Sequence, residues 1–341
     1  SATGNGYHGE MTVNVTIEDG KITDVALGDN HETNVVIDRA FPVIRERIIE
    51  ANTADVDSVT AATFSSYAIK TAVADAMKQA GLEAPAVSMQ NAEKPATERA
   101  AEECDIVIVG GGPAGLAAAI SAKQTNADKN VIIVEKLDIL SGNGKFDMNF
   151  FDMINTEAQK AAGNDEWVGE AGLAKFIEEK SANGESAERI QVWANEEYGI
   201  DAWLRAMGVE LNYNYGGTNH MAEDNQYSGE VIQAGLEKAA AELGVDVRTG
   251  TKGMDLVMED GVCKGVVVTN NAGETYTINA KSTIIATGGF CSNKELLAEY
   301  APGYEVFNTS NQMGTTGDFV KIFEQNGFKM ENMGKMSFFS N

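Results

Sequence analysis

The run Gly110-Gly111-Gly112-Pro113-Ala114-Gly115 fits the pattern GxGxxG and stands where such a run does chemistry. It follows an apolar strand, Ile106 to Val109, and opens a helix, Pro113 to Thr125. Gly110 permits a tight turn, Gly112 lets backbone approach a pyrophosphate, and Gly115 lets helix and strand pack closely. The N–H groups of the helix start, around Pro113 and Ala114, point at the phosphates. Glu135 ends the next strand, Val131 to Val134, 20 residues beyond Gly115. A carboxylate there can accept hydrogen bonds from a ribose diol. Such a run serves FAD and NAD alike.

Two more glycine-rich runs bear on that choice. Ile284-Ile285-Ala286-Thr287-Gly288-Gly289-Phe290 carries a strand into a turn and closes the same domain after a long insertion. Only one GxGxxG is present, so a separate NAD domain has no candidate. Ser141-Gly142-Asn143-Gly144 can lie against a flavin or be an ordinary turn. A different motif lies earlier: Asp57-Ser58-Val59-Thr60-Ala61-Ala62-Thr63, then Phe64-Ser65-Ser66 and a helix. Small residues before a helix leave bare N–H groups and room for a phosphate. The hydroxyls of Thr60, Thr63, Ser65 and Ser66 can bind that anion or simply cap the helix. The residues alone leave both readings open.

The elements that position these motifs fall into two textures. Glu10 to Glu18 alternates as a half-buried strand, Asp19-Gly20 turns, and Lys21 to Leu27 returns. Ile37 to Ala51 and Ser66 to Ala80 follow as helices, the second closed by Gly81. Residues 1–82 thus form an α+β domain. Residues 83–103 lose the pattern to Pro, Ala, Glu, Lys and Gln and are expected to be a linker with some helical tendency. From residue 104 to 341 the texture is βαβ, with a helix from Val231 to Leu243 and four meandering strands from Val245 to Asn279. An α/β, Rossmann-like domain is expected there.

Charge and cysteine content exclude several functions. With 51 acidic and 26 basic residues the net charge is −25, which repels nucleic acid and anionic lipid. Cys104, Cys263 and Cys291 stand far apart with no CxxC, so no iron–sulfur cluster, zinc site or redox dithiol is expected. No run of 18 apolar residues occurs.

Residues 4–81 resemble the FMN-binding domain of sodium-pumping quinone reductase subunits and exported flavin reductases. The resemblance rests on Gly6-Tyr7-His8-Gly9, Glu18-Asp19-Gly20-Lys21-Ile22, Glu32-Thr33 and Asp57 through Ser66. The family's attachment motif is Asp-x-x-Ser/Thr-Gly-Ala-Thr, and here Ala61 replaces the glycine. The resemblance implies FMN bound covalently to Thr63 through a phosphoester, installed by a flavin transferase outside the cytoplasm, with Thr60, Ser65 and Ser66 nearby. Residues 104–341 resemble the flavoprotein of the fumarate reductase family, through Gly110–Gly115, Glu135-Lys136, Gly142-Asn143, Trp203-Leu204 with Met207-Gly208-Val209, Ala286–Phe290 and Thr309–Asp318. This implies non-covalent FAD held by Gly110, Gly112, Pro113, Ala114, Gly115, Glu135, Lys136, Gly142, Asn143, Ala286, Thr287, Gly288, Gly289, Gly317 and Asp318.

Together the resemblances imply an extracytoplasmic enzyme, periplasmic or at the cell surface. Electrons would pass from an external donor, a membrane quinol dehydrogenase or cytochrome, to FMN, to FAD and to the C=C bond of an enoate. In that family hydride goes from the flavin to one carbon and an arginine protonates the other. The linker would let the small domain move between donor and FAD. Two departures stand out. Gln312 occupies the place of a substrate-binding His. The chain ends at Asn341, ahead of the family's proton-donor arginine and its other carboxylate ligands. His220 aligns loosely with an active-site histidine, though a lone loop His is commonly structural. The alternative is a two-flavin electron carrier without a substrate site of its own.

Overall fold

The computed structural model of the protein describes residues 1–140, 142–145, 149–182, 186–223 and 226–336. The chain divides into two units: Ser1–Gly111 with Lys129–Leu140 and Asp246–Asn341, and Gly112–Asp128 with Ser141–Val245.

The first unit begins with three antiparallel strands, β1 (Ala2–Asn5), β2 (Glu10–Glu18) and β3 (Lys21–Leu27), in that order across the sheet. Asp19 and Gly20 take φ of 50° and 76°, the positive values that a two-residue hairpin with native twist needs. Helices α1 (Asn34–Ala51) and α2 (Thr63–Gln79) cover the sheet. Met11, Val13, Ile22 and Val25 meet Ile37, Ile44 and Ile48 of α1 and Ile69 and Val73 of α2 in one core. Both helices start three residues earlier than their apolar pattern indicates. The consequence matters for α2, because Thr63 becomes its first residue.

Residues 83–103 are fastened rather than free, and they contain no helix. Ala84 and Val87 pack on the amino-terminal core. Asn91 and Ser58 exchange two hydrogen bonds, and Lys94 pairs with Asp57 at 3.0 Å. Strand β4 (Thr97–Glu98) then pairs in a sheet, so the helical tendency expected of this segment gives way to extended chain.

In chain order there follow β5 (Glu102–Val109), α3 (Pro113–Thr125), β6 (Val131–Val134), β7 (Phe151–Asp152), α4 (Glu157–Ala161), α5 (Gly169–Ser181), α6 (Ala187–Ala206), β8 (Tyr213–Gly216), β9 (Asn219–Met221) and α7 (Ser228–Glu242). Then come β10 (Asp246–Arg248), β11 (Thr251–Glu259), β12 (Val262–Asn270), β13 (Glu274–Ile285), α8 (Lys294–Tyr300) and α9 (Val320–Gln325). The large sheet of the first unit has the order β10-β6-β5-β13-β12-β11, with β4 alongside β13. From β10 to β13 the pairings are parallel, and β12 and β11 add antiparallel. Val107, Ile132, Val134, Val266, Val268 and Ile278 fill its core against Phe319. Parallel strands buried on both faces read as unbroken apolar runs, which is why Val131 to Val134 is legible in the sequence.

The second unit packs α3 on α7 and α5 on α6, beside a small sheet ordered β7-β9-β8. No helix among the described residues is long and apolar enough to cross a membrane.

Candidate functional site

The segment Asp57–Ala62 is held by hydrogen bonds before it reaches α2. Arg47 donates to the carbonyls of Asp57 and Ser58 at 3.1 and 3.3 Å. Lys70 is buried and donates to Val56 O at 2.6 Å, Ser88 O at 2.7 Å and Ser58 Oγ at 3.2 Å. Burial pushes its ammonium below the ordinary lysine range. Ala61 takes φ +78°, inside the left-handed region that favours glycine. That conformation explains why the family motif has glycine there.

Four hydroxyls lie around this turn, and three face the protein. Thr60 donates through its N–H and Oγ1 to Asp138 Oδ2 at 2.7 and 2.5 Å. Ser66, fully buried, accepts from Val59 N–H at 3.0 Å. Ser65 donates to the buried Glu32 carboxylate. The hydroxyls of Thr60, Ser65 and Ser66, expected at a phosphate, are thus turned to the fold. Among the described residues, the Thr63 hydroxyl is the one of the four with no hydrogen-bond partner. Thr63 is half-buried at the first position of a 17-residue helix, where N–H groups without intrahelical partners favour an anion. A secondary alcohol left free at such a place can carry a phosphoester.

In the large sheet, β5 runs into Gly110 and Gly111. Gly110 takes φ +111°, and a Cβ there would meet Ala286 O at 2.3 Å. Only glycine satisfies both constraints. Ala286 N–H donates to Val109 O at 2.8 Å, so Ala286 to Gly289 leave the sheet beside this turn, with Gly288 and Gly289 exposed. Glu135 is buried, and its two carboxylate oxygens accept from Gly111 N–H at 2.7 Å and Leu137 N–H at 2.9 Å. Each oxygen keeps a lone pair for a further donor, so the expected ribose contact fits this donor set.

Lys136 donates to Asp318 Oδ2 at 2.6 Å and to Thr316 Oγ1 at 2.7 Å, and Lys252 reaches Asp318 Oδ1 at 3.2 Å. Burial alone would raise the Asp318 carboxyl, but the two ammonium groups hold it below the usual carboxylate range. Lys136, Gly317 and Asp318 therefore come together. Gly317 takes φ +67°, and a Cβ there would lie 2.6 Å from Phe290 Cβ. Gln312 is half-buried in the same loop, its carbonyl accepting from the Ser292 hydroxyl at 2.7 Å.

In the second unit, Gly112 is the N-cap of α3, with Pro113 and Ala114 in the first turn and Gly115 buried behind them. A Cβ on Gly112 would meet nothing closer than Gly142 Cα at 3.4 Å, so this backbone is open to a ligand. A Cβ on Gly142 would come within 2.7 Å of Gly112, and one on Gly144 within 2.5 Å of Pro113. The Gly142-Asn143-Gly144 turn thus needs its glycines to lie against the start of α3. Ser141 lies outside the described residues.

His220 sits in strand β9, not in a loop, and is fully buried. Its Nδ1 donates to Thr218 O at 2.8 Å, and its Nε2 accepts from Thr156 Oγ1 at 2.6 Å. Burial lowers its pKa, which keeps the ring neutral. Both ring nitrogens are thus engaged within this unit, one by the N-cap hydroxyl of α4 and one by the Thr218 carbonyl beside β9.

Asp138 is the residue that sequence reasoning missed. Its side chain is 3% exposed, and it joins the Asp57–Ala62 segment to the loop after β6. Arg47 reaches it at 3.0 Å, Thr60 twice, and Asn271 once. A single Asp in Lys136-Leu137-Asp138-Ile139 carries no local signal, because its partners lie 78, 91 and 133 residues away.

Residues 105–339 match the family described as FAD binding domain, and residues 6–78 match the FMN-binding domain. The chain is 31% identical over 337 residues to NADH:fumarate oxidoreductase of Klebsiella pneumoniae, covering 96% of this chain and 35% of that protein. It is 32% identical over 349 residues to urocanate reductase of Eggerthella lenta, covering 98% and 56%. The open conformation of a flavocytochrome c3 fumarate reductase superposes with a TM-score of 0.60 at 31% identity, over 66% of this chain and 40% of that one. The chain thus spans between 35% and 56% of the length of these two curated relatives.

Proposed function

We propose that this chain, which belongs to the FAD binding domain family and carries an FMN-binding domain ahead of it, is the two-flavin part of an enoate reductase. The reaction is reduction of the C=C bond of an unsaturated carboxylate of the fumarate, urocanate or acrylate type. The relatives named for fumarate, urocanate and acrylate support this substrate class. When bound, the two flavins supply the electron chemistry between an external donor and the double bond. The residues of the chain hold and orient them.

The large sheet with its glycine turn is read as a Rossmann-like FAD seat. Gly110 makes the turn at the end of β5 that only glycine allows, and Glu135 accepts from the ribose while bracing the Gly111 turn; the Gly112 backbone at the start of α3 is read as the pyrophosphate contact. The Lys136–Asp318 pair fastens the Thr316–Asp318 turn to the segment that follows Glu135. FMN is carried covalently on Thr63, placed by a flavin transferase. The enzyme works outside the cytoplasm with a quinol dehydrogenase or cytochrome as donor.

The observation that carries the covalent assignment is the free Thr63 hydroxyl among three engaged ones. Full-length protein made with a flavin transferase is expected to give a flavin-fluorescent band after denaturation and to reduce an enoate with a viologen donor. Thr63→Ala is expected to lose the band while acid still releases FAD. A band that survives Thr63→Ala sinks the assignment, and fully flavinylated protein inert toward all three substrate types sinks the reductase reading.

A further inference from the structure

Two large aromatic side chains stand in water beside Thr63. Tyr7 is 68% exposed and Phe64, the residue after Thr63, is 48% exposed. Their ring centroids are 6.0 Å apart at an interplanar angle of 56°. The His8 ring meets Tyr7 edge-on at 4.8 Å, and its Nε2 lies 3.2 Å from Thr33 Oγ1.

One buried carboxylate holds this pair in place. Glu32, 7% exposed, accepts from His8 N–H at 2.9 Å and from the Ser65 hydroxyl. The first donor is the neighbour of Tyr7 and the second the neighbour of Phe64. Glu32 therefore ties the Gly6–Gly9 turn to the first turn of α2. Gly6 makes the seat possible, since a Cβ there would fall 2.5 Å from Glu32 Oε1. Scattered exposed apolar residues need no explanation. Two rings fixed by a shared buried acid, flanking a helix start with an unpartnered hydroxyl, are not scattered.

We propose that Tyr7 and Phe64 hold the isoalloxazine ring of the flavin carried on Thr63, with Glu32 as the positioning residue that sets the two rings relative to each other. The proposal rests on the reading of Thr63 given above. A flavin esterified at Thr63 would have its flat aromatic ring system tethered next to Phe64, whose ring lies 6.0 Å from that of Tyr7. Aromatic rings contact such a system by face and by edge, and their tilt offers one of each. Covering Tyr7 and Phe64 also removes apolar surface that the fold leaves in water.

The test uses flavinylated full-length protein and the native flavin emission, because a tyrosine phenol in contact with a flavin quenches it. The FAD contribution is the same in every variant. Tyr7→Leu and Tyr7→Phe are expected to keep the fluorescent band in denaturing gels, and their native emission is expected to rise several-fold. Glu32→Gln, which loosens both rings, is expected to give a smaller rise. An intact band with unchanged emission in both Tyr7 variants overturns the proposal alone. A wild-type protein without any band overturns the Thr63 reading, and this one falls with it. Should Tyr7→Leu fail to accept flavin, Tyr7→Phe, which keeps the ring's shape, decides the matter.

Discussion

Ala61 shows how one methyl group bears on this protein. Its φ of +78° is a conformation that costs a non-glycine residue about 1–2 kcal/mol. The turn persists because its neighbours are fastened on both sides: Val59 N–H to Ser66 Oγ, and Thr60 to Asp138. Ala61→Gly relieves the strain, while the added freedom of the unfolded chain offsets about 0.4–1 kcal/mol of it. A net gain of about 0.5–1 kcal/mol is expected in denaturant unfolding of the amino-terminal domain. A loss of stability on that substitution would show that the turn is not strained. The same logic explains why Lys70 tolerates burial. Three oxygens within 3.2 Å replace the water that its ammonium gave up.

At the scale of elements, the Asp57–Ala62 loop before α2 and the loop after β6 form one hydrogen-bonded assembly. Asp138 is its centre, with donors from Arg47 of α1, Thr60 and Asn271. The Ile139 side chain beside it joins the amino-terminal core. Removing the acid leaves a partly buried guanidinium and a backbone N–H without their acceptor. Asp138→Ala is therefore expected to cost about 2–4 kcal/mol, the half-screened Arg47 keeping the loss below that of a fully buried pair. It should also speed proteolytic cleavage within residues 83–103, where contacts to Asp57 and Ser58 would loosen. Cleavage at the wild-type rate would mean that the linker's own contacts hold the domain without Asp138.

For the whole molecule the sharpest expectation concerns substrate choice. A net charge of −25 gives a dianion no general attraction to this chain. Gln312 can donate a hydrogen bond to a carboxylate, but it carries no charge and cannot become an imidazolium. Fumarate would lose a charged partner at one end, whereas a mono-acid with a neutral or aromatic far end would lose less. The full-length enzyme is expected to reduce aryl-substituted acrylates in preference to fumarate. Gln312→His is expected to shift the kcat/KM ratio toward fumarate by about tenfold, or ~1.4 kcal/mol. A clear fumarate preference in the unaltered enzyme would show that Gln312 is not the selecting residue.

The sequence by itself determined what is local. GxGxxG between a strand and a helix, a carboxylate at the end of the next strand, and an Asp-Gly hairpin each depend on residues close in the chain. The structure has Gly110, Glu135 and Asp19-Gly20 in those roles. Tertiary structure alone decided which hydroxyls are free. Thr60, Thr63, Ser65 and Ser66 look alike in a row, and only partners at Asp138, Glu32 and Val59 separate three of them from Thr63. It also decided that residues 83–103 are docked, that His220 is spent on Thr156 and Thr218, and that Lys136 meets Asp318 across 182 residues. Hydrogen bonds and ion pairs over such separations leave no periodicity in the chain, so the sequence names the groups and the fold chooses their partners.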